Sequence, residues 1–292
     1  MLSSNSKAAR LRISLLSIAK RLIQLTYQVP VQYFNRYAYD TVFIAPEFYW
    51  GQPSVETRYL QHEIKRDYEH WIELVRLVFA KAPKDISNKL NEADKKLRTW
   101  IELEDNWSLT DNSEKNEQNL RNDINEFDEL ILILEASPAK EIIVIPDTNS
   151  IVAESDPCAY RSLVGNTNFT FLLLPTVLGE LDSLKNNHRN PDFREKVKKS
   201  ISRIKGWRNQ GSLINGVTVD KSITVRAVAA EPNMQYTLSW LDSEVGDDRL
   251  IANILEIEAI SPSAEISLVT GDINLQNKAD VAMIHTVDNP SS

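Results

Sequence analysis

The spacing of apolar positions changes partway along the chain. Over residues 55–82, Tyr59, Ile64, Tyr68, Trp71, Leu74, Val75 and Val78 recur near helical intervals, and Leu90, Leu97, Trp100, Ile101 and Leu103 do so over 86–105. Residues 106–118 are polar and predict a loop. Residues 119–136, acidic at first and then apolar from Leu130 to Leu134, predict a third helix that Ser137-Pro138 ends. From residue 141 the pattern becomes one of short apolar runs: Ile142–Ile145, Phe169–Leu174, Ile223–Val228, Ile266–Val269 and Val281–Val287. Helical stretches alternate with these runs, the pattern of βαβ units that form a parallel sheet with helices on both sides. The boundary between the two patterns lies at about residue 139. It predicts a mainly α-helical region over 1–139 and an α/β domain over 140–292.

Two segments of the first half stand apart. Residues 1–29, with Lys7, Arg10, Arg12, Lys20 and Arg21 between apolar positions, read as a basic amphipathic arm that touches a membrane, a nucleic acid or the rest of the chain. A signal peptide fits it poorly, because its apolar part is short and interrupted. Residues 30–55 hold Tyr33, Phe34, Tyr37, Tyr39, Phe43, Phe48, Tyr49 and Trp50, punctuated by Pro30, Pro46, Gly51 and Pro53, and predict loops or short turns. Core packing is the commoner fate of such aromatics, and stacking on bases the rarer one. The helical region carries no motif with a mechanism; it is a candidate surface for a second copy of the chain or a protein partner.

Composition narrows the chemistry. The 292 residues carry one cysteine and four histidines, which excludes an internal disulfide framework and a typical structural zinc site. A single cysteine suits a reducing compartment, and cytoplasmic placement is expected. No apolar run is long enough for a stable membrane span. Net charge is −8, which argues against a general nucleic-acid binder, yet residues 1–40 carry six basic residues and one acidic one.

Acids recur where the second half expects strand ends and helix starts. Asp147 follows the buried run Ile142–Ile145 and Pro146, at the position beyond a strand's carboxyl end where α/β folds place chemistry. Taken alone, it equally reads as a helix cap. Glu180 lies beside the buried stripe Val177, Leu178, Leu181 and Leu184 of a helix started by Pro175, where a carboxylate needs a partner, a proton or a metal. Asp247 and Asp248 open a further helix, with Asp248 on the side of Ile251 and Ala252, and Asp272 ends the run Ile266–Val269. Each has a bland reading as a cap, a turn residue or a solvated acid. Together they would repel one another unless hard cations such as Mg2+ or Mn2+ neutralise them, and oxygen donors suit those ions. Such a centre promotes in-line attack of water on a phosphodiester.

The motifs Pro-Asp-Thr-Asn (146–149), Glu-Leu-Asp-Ser-Leu-Lys (180–185), Asp-Asp-Arg-Leu-Ile-Ala (247–252) and Thr-Gly-Asp-Ile-Asn-Leu (270–275) resemble, in order and spacing, those of PIN domain nucleases. The Glu-Leu-Asp-x-Leu-Lys form looks like the larger PIN domains of RNA-decay endonucleases. The resemblance implies a three-layer α/β/α fold and metal-dependent endoribonuclease action on single-stranded RNA, with Mg2+ or Mn2+ held by Asp147, Glu180, Asp248 and Asp272. Asp247 is then accessory, and Thr148, Asn149 and Asn274 support the site. The long stretch 209–245 departs from the family pattern and predicts a lid or an edge insertion. Other readings are an inactive PIN-like scaffold or RNA-binding module, the toxin of a toxin–antitoxin pair, and a phosphatase-like hydrolase, in which Asn149 would stand where a second aspartate is expected.

Between Lys185 and Arg208 nine basic residues face only Asp192 and Glu195. Residues 191–207 predict a helix with a narrow stripe of Phe193, Val197, Ile201 and Ile204, leaving the rest of its surface cationic. An acidic centre repels phosphates, so a cationic flank is needed to hold the strand. Lys185, Arg189, Lys196, Lys199 and Arg203 are the expected RNA contacts; the bland alternative is a solvated helix.

Overall fold

The computed structural model of the chain describes residues 5–33, 47–136, 141–165 and 168–290. Its contacts divide the chain into two compact units, one of residues 11–136 and one joining residues 1–10 to 137–292.

The helical unit contains α1 (Lys7–Gln28) from Leu11 onward, β1 (Val31–Tyr33), β2 (Phe48–Trp50), α2 (Val55–Val78), α3 (Lys84–Ile101) and α4 (Ser113–Glu135). In α1 the buried line Leu11, Leu15, Ile18, Leu22 and Leu25 follows the three–four spacing of one helical face. Its arginines are paired within this unit: Arg12 forks onto Asp128 at 2.6 and 2.8 Å, and Arg21 meets Asp67 at 2.7 Å. Of the aromatic stretch, Tyr33, Phe48, Tyr49 and Trp50 fall in the short antiparallel pair β1–β2, not in turns alone. Phe34, Tyr37, Tyr39 and Phe43 lie outside the described residues. Trp71 meets Phe127 edge to face at 5.1 Å and gives its indole N–H to the Leu11 carbonyl at 2.9 Å. Buried Asp94 accepts from Tyr68, Arg76 and Arg98 at 2.6–2.8 Å, which satisfies a charge that would otherwise destabilise this core. The described residues contain no helix long and apolar enough to cross a membrane.

The second unit is a three-layer α/β/α domain. Its elements run β3 (Ile142–Pro146), α5 (Thr148–Ala153), β4 (Phe169–Leu173), α6 (Pro175–Asn187), α7 (Pro191–Gln210), β5 (Val217–Asp220), β6 (Ile223–Ala227), α8 (Gly246–Ile260), β7 (Glu265–Val269), α9 (Ile273–Val281) and β8 (His285–Val287). The sheet order is β5-β6-β4-β3-β7-β8, parallel except for the edge strand β5. β4 is buried along its whole length, and β3 and β7 all but their first residues, as continuous apolar runs covered on both faces should be. From β3 the chain moves out to β4 and β6 on one side, then returns to β7 and β8 on the other. The switch point therefore lies between β3 and β7, whose last residues Pro146 and Val269 pair in register. In such sheets the crevice beyond this point receives ligands.

Three local features give the sequence expectation its detail, and one of them, the run Val281–Val287, corrects it. The stretch 209–245 includes the hairpin β5–β6 on the sheet edge. Gly216, at a positive φ of 98°, leads into it, where an added Cβ would stand 2.9 Å from Thr224. The run Val281–Val287 is not one strand, because α9 continues to Val281 and Met283 turns the chain at φ 50° before β8. Residues 5–10 pack in this unit: Lys7 lies 2.9 Å from Glu258 of α8 and donates to the Ala282 carbonyl at 2.7 Å, and Arg10 pairs with the same carboxylate.

Candidate active site

The site starts from Asp147, one residue past β3. Its N–H joins the sheet through the Val269 carbonyl at 3.0 Å. One carboxylate oxygen accepts the Ser150 N–H at 2.6 Å and caps α5; the other accepts the Thr270 hydroxyl at 2.5 Å. The capping reading and the site reading thus apply to the same buried side chain. Thr270, fully buried at the end of β7, also accepts the Asp272 N–H at 3.0 Å. One threonine hydroxyl therefore couples two of the expected acids. Asp272 is exposed and caps α9 through the N–H groups of Asn274 and Leu275.

Glu180 reaches the same crevice from α6. Its Oε2 accepts the Thr148 hydroxyl at 2.5 Å, beside Asp147. Its Oε1 lies 2.7 Å from where a Cβ on Gly246 would stand, so any larger first residue of α8 would make this carboxylate shift. Asp248, on α8, is buried; its oxygens accept the Asp242 N–H at 2.9 Å and the Lys278 ammonium at 2.6 Å. Asp247 is half exposed and 3.9 Å from the same ammonium. Burial pushes the Asp247 carboxyl above the usual carboxylate range, Lys278 opposes the shift, and Asp272, Asp248 and Asp147 add to it. Three separate elements thus bring Asp147, Asp247, Asp248 and Asp272 within electrostatic reach of one another, with Glu180 joined to Thr148 beside Asp147. Asn149 and Asn274 are exposed, and Asn274 serves the site through its backbone N–H.

The expected cationic flank is α7, which Ser200 fixes to α5 by donating to the Ile151 carbonyl at 3.0 Å. Its buried line is Val197, Ser200 and Trp207, while Phe193, Ile201 and Ile204 are half buried, so the predicted stripe is present but rotated. Lys196 and Lys199 are exposed, as is Arg189 before the helix; Lys185 is half buried on α6. Arg203 is drawn toward Glu154 and Asp156, at 3.9 and 3.8 Å.

The donor set fits a hard divalent ion. The candidate groups are all carboxylates, Asp272, Asp248 and Asp147 add to the effect of burial in raising the Asp247 carboxyl, and the Thr176 hydroxyl, one turn before Glu180, is buried without a hydrogen-bond partner. Among the described residues no three such groups already close into a metal-holding cage; Thr148, Thr270 and Lys278 take oxygens a cation would share. Three of these helpers escape a reading of the sequence. Thr270 and Lys278 stand inside or just after the last acidic motif, and Gly246 directly precedes Asp247, but nothing local marks their distant partners.

A mostly parallel sheet with helices on both faces and acids beyond its strand ends is the architecture of a PIN-like α/β/α domain. A family model for the PIN domain matches residues 144–289, half of the chain and most of this unit. The chain belongs to the PIN domain family, whose members are generally nucleases and usually use divalent metal ions. No curated protein matches the chain.

Proposed function

We propose that the chain is a divalent-metal-dependent endoribonuclease that hydrolyses phosphodiester bonds of single-stranded RNA. What supports this reading is that Asp147, Asp248 and Asp272 all act on the Asp247 carboxyl beyond the strand ends of the sheet, while Glu180 accepts from Thr148 beside Asp147. Asp147, Glu180 and Asp272 would hold Mg2+ or Mn2+, with Asp248 and the accessory Asp247 beside them. The ion supplies Lewis-acid polarisation of the scissile phosphate and of the attacking water. The chain's own part is to hold those oxygens still. Thr270 fixes Asp147 relative to the Asp272 loop, Thr148 fixes Glu180, and Asn149 and Asn274 line the exposed rim. Lys185, Arg189, Lys196, Lys199 and Arg203 provide phosphate contacts that position the strand without reading its sequence.

Asp147→Asn removes a ligand charge while keeping a side chain that caps helices well. Purified protein with Mn2+ or Mg2+ should cut single-stranded RNA. The variant, and wild type with chelator, should lose about 100-fold or more, with melting unchanged. Cleavage by the variant at the wild-type rate rejects the assignment. RNA binding by wild type without any cleavage identifies an RNA-binding module instead.

A further inference from the structure

The metal-dependent reading leaves Lys278 unexplained. A lysine on α9 places its ammonium 2.6 Å from Asp248 and 3.9 Å from Asp247, inside a cluster whose acids would otherwise be offered to cations. Asp248 is buried, and its second oxygen is held by the Asp242 N–H at 2.9 Å. Both oxygens are therefore engaged by groups of the chain itself. Lys278 projects from the helix that Asp272 caps, so its position is tied to another acid of the centre.

We propose that Lys278 is a built-in cation at Asp248 and Asp247, and that the centre consequently takes one divalent ion, on the side of Asp147, Glu180 and Asp272, and not a pair. The proposal rests on the metal-dependent reading and deepens it. Ions of a two-metal centre sit about 3.5–4 Å apart and share carboxylates. A second ion bound by Asp248 and Asp247 would need the place now taken by the ammonium, with ligand distances of about 2.0–2.1 Å for Mg2+. Displacing Lys278 would strip a buried carboxylate of its partner and leave the ammonium close to the incoming cation. A tethered single charge also leaves less uncompensated acid facing the incoming phosphate.

The test is a count of bound Mn2+ on the full chain without RNA, by calorimetry and by the electron paramagnetic resonance signal of unbound Mn2+. Wild type should bind one ion, Asp248→Asn should still bind one, and Asp147→Asn should bind none. Lys278→Met should admit a second ion, and Lys278→Arg should not. Two ions on wild type, loss of the ion in Asp248→Asn, or a single ion on folded Lys278→Met each overturn the proposal. If Lys278→Met fails to fold, the counts for wild type and Asp248→Asn decide alone. No ion on wild type at millimolar Mn2+ removes the metal-dependent reading as well, which distinguishes its failure from that of the Lys278 proposal.

Discussion

Gly246 illustrates how a residue with no functional group shapes the site. Its hydrogen faces Glu180, and a methyl there would press on Oε1 at 2.7 Å. Glycine costs roughly 1 kcal/mol relative to alanine in a helix interior and less at the first position, which Gly246 holds, so stability alone does not call for glycine. Gly246→Ala should therefore leave the melting temperature unchanged or slightly raised, while pushing Glu180 off Thr148 and lowering metal affinity about 10-fold, the scale seen when groups supporting a ligand are disturbed. Calorimetric titration with Mn2+ alongside thermal melting checks this; unchanged affinity means that Glu180 does not hold the ion. The candidate acids stand out in the sequence because Asp147, Asp247, Asp248 and Asp272 lie where an apolar run ends or a helix begins, and Glu180 lies beside a helix's buried stripe. Thr270 and Lys278 are not, since their roles depend on partners 123 and 30 residues away. A Thr before Gly-Asp and a Lys in mid-helix read the same way whether or not such partners exist.

Among the elements, β3, β4 and β7 are legible because strands buried on both faces need nearly continuous apolar sequence, while β6, Ile-Thr-Val-Arg-Ala, alternates, burying Ile223 and Val225 and exposing Arg226. β5 is harder to see: Val217-Thr-Val-Asp is short and half polar, as an edge strand can be. The start of α4 is equally hidden, since Asn112 caps a helix whose first turns are polar and resemble loop sequence. Of the three readings of the basic arm, packing on the rest of the chain is the one that describes Lys7 and Arg10. The arm's charges suggest an outward face, yet Lys7 is almost fully buried with Glu258, and Arg10 joins the same carboxylate. Burial favours the neutral form of Lys7 and pulls its ammonium below the usual lysine range, while Glu258 opposes that pull. Replacing Lys7 and Arg10 together by Met would strand Glu258 in an apolar setting. The double variant should lose about 3–5 kcal/mol in chemical denaturation, and adding Glu258→Met should restore most of it. A double variant as stable as wild type would show that Lys7 and Arg10 do not support the PIN unit.

At the scale of the whole molecule, the chain carries a net charge of −8, and its proposed substrate is a polyanion. Non-specific attraction cannot bring RNA to such a protein; a local cationic track must do so. The segment from Lys185 to Arg208, with nine basic residues against Asp192 and Glu195, is the strongest such contrast in the sequence. It borders the site through α6, which carries Glu180, and through the Ser200 bond to α5, which Asp147 caps. Not all of its charge is available. Lys198 pairs with Glu195 at 2.6 Å, and Arg203 faces Glu154 and Asp156, so reversing Arg203 would set a third carboxylate against those two. Lys196 and Lys199 are exposed, lie three residues apart and so share a helix face. They are the clean positions to reverse. Every phosphate that a protein ceases to neutralise on a single strand lowers the slope of log affinity against log salt by about 0.7. Lys196→Glu with Lys199→Glu should therefore weaken RNA binding several-fold at low salt and flatten that slope by about 1.4, twice the single-phosphate value, while Mn2+ affinity and melting stay at wild-type values. Because phosphate recognition carries no base information, the weakening should be the same for RNAs of different sequence. If affinity and slope both match wild type across salt concentrations, α7 is not the path of the RNA, and its charges serve only as a solvated surface.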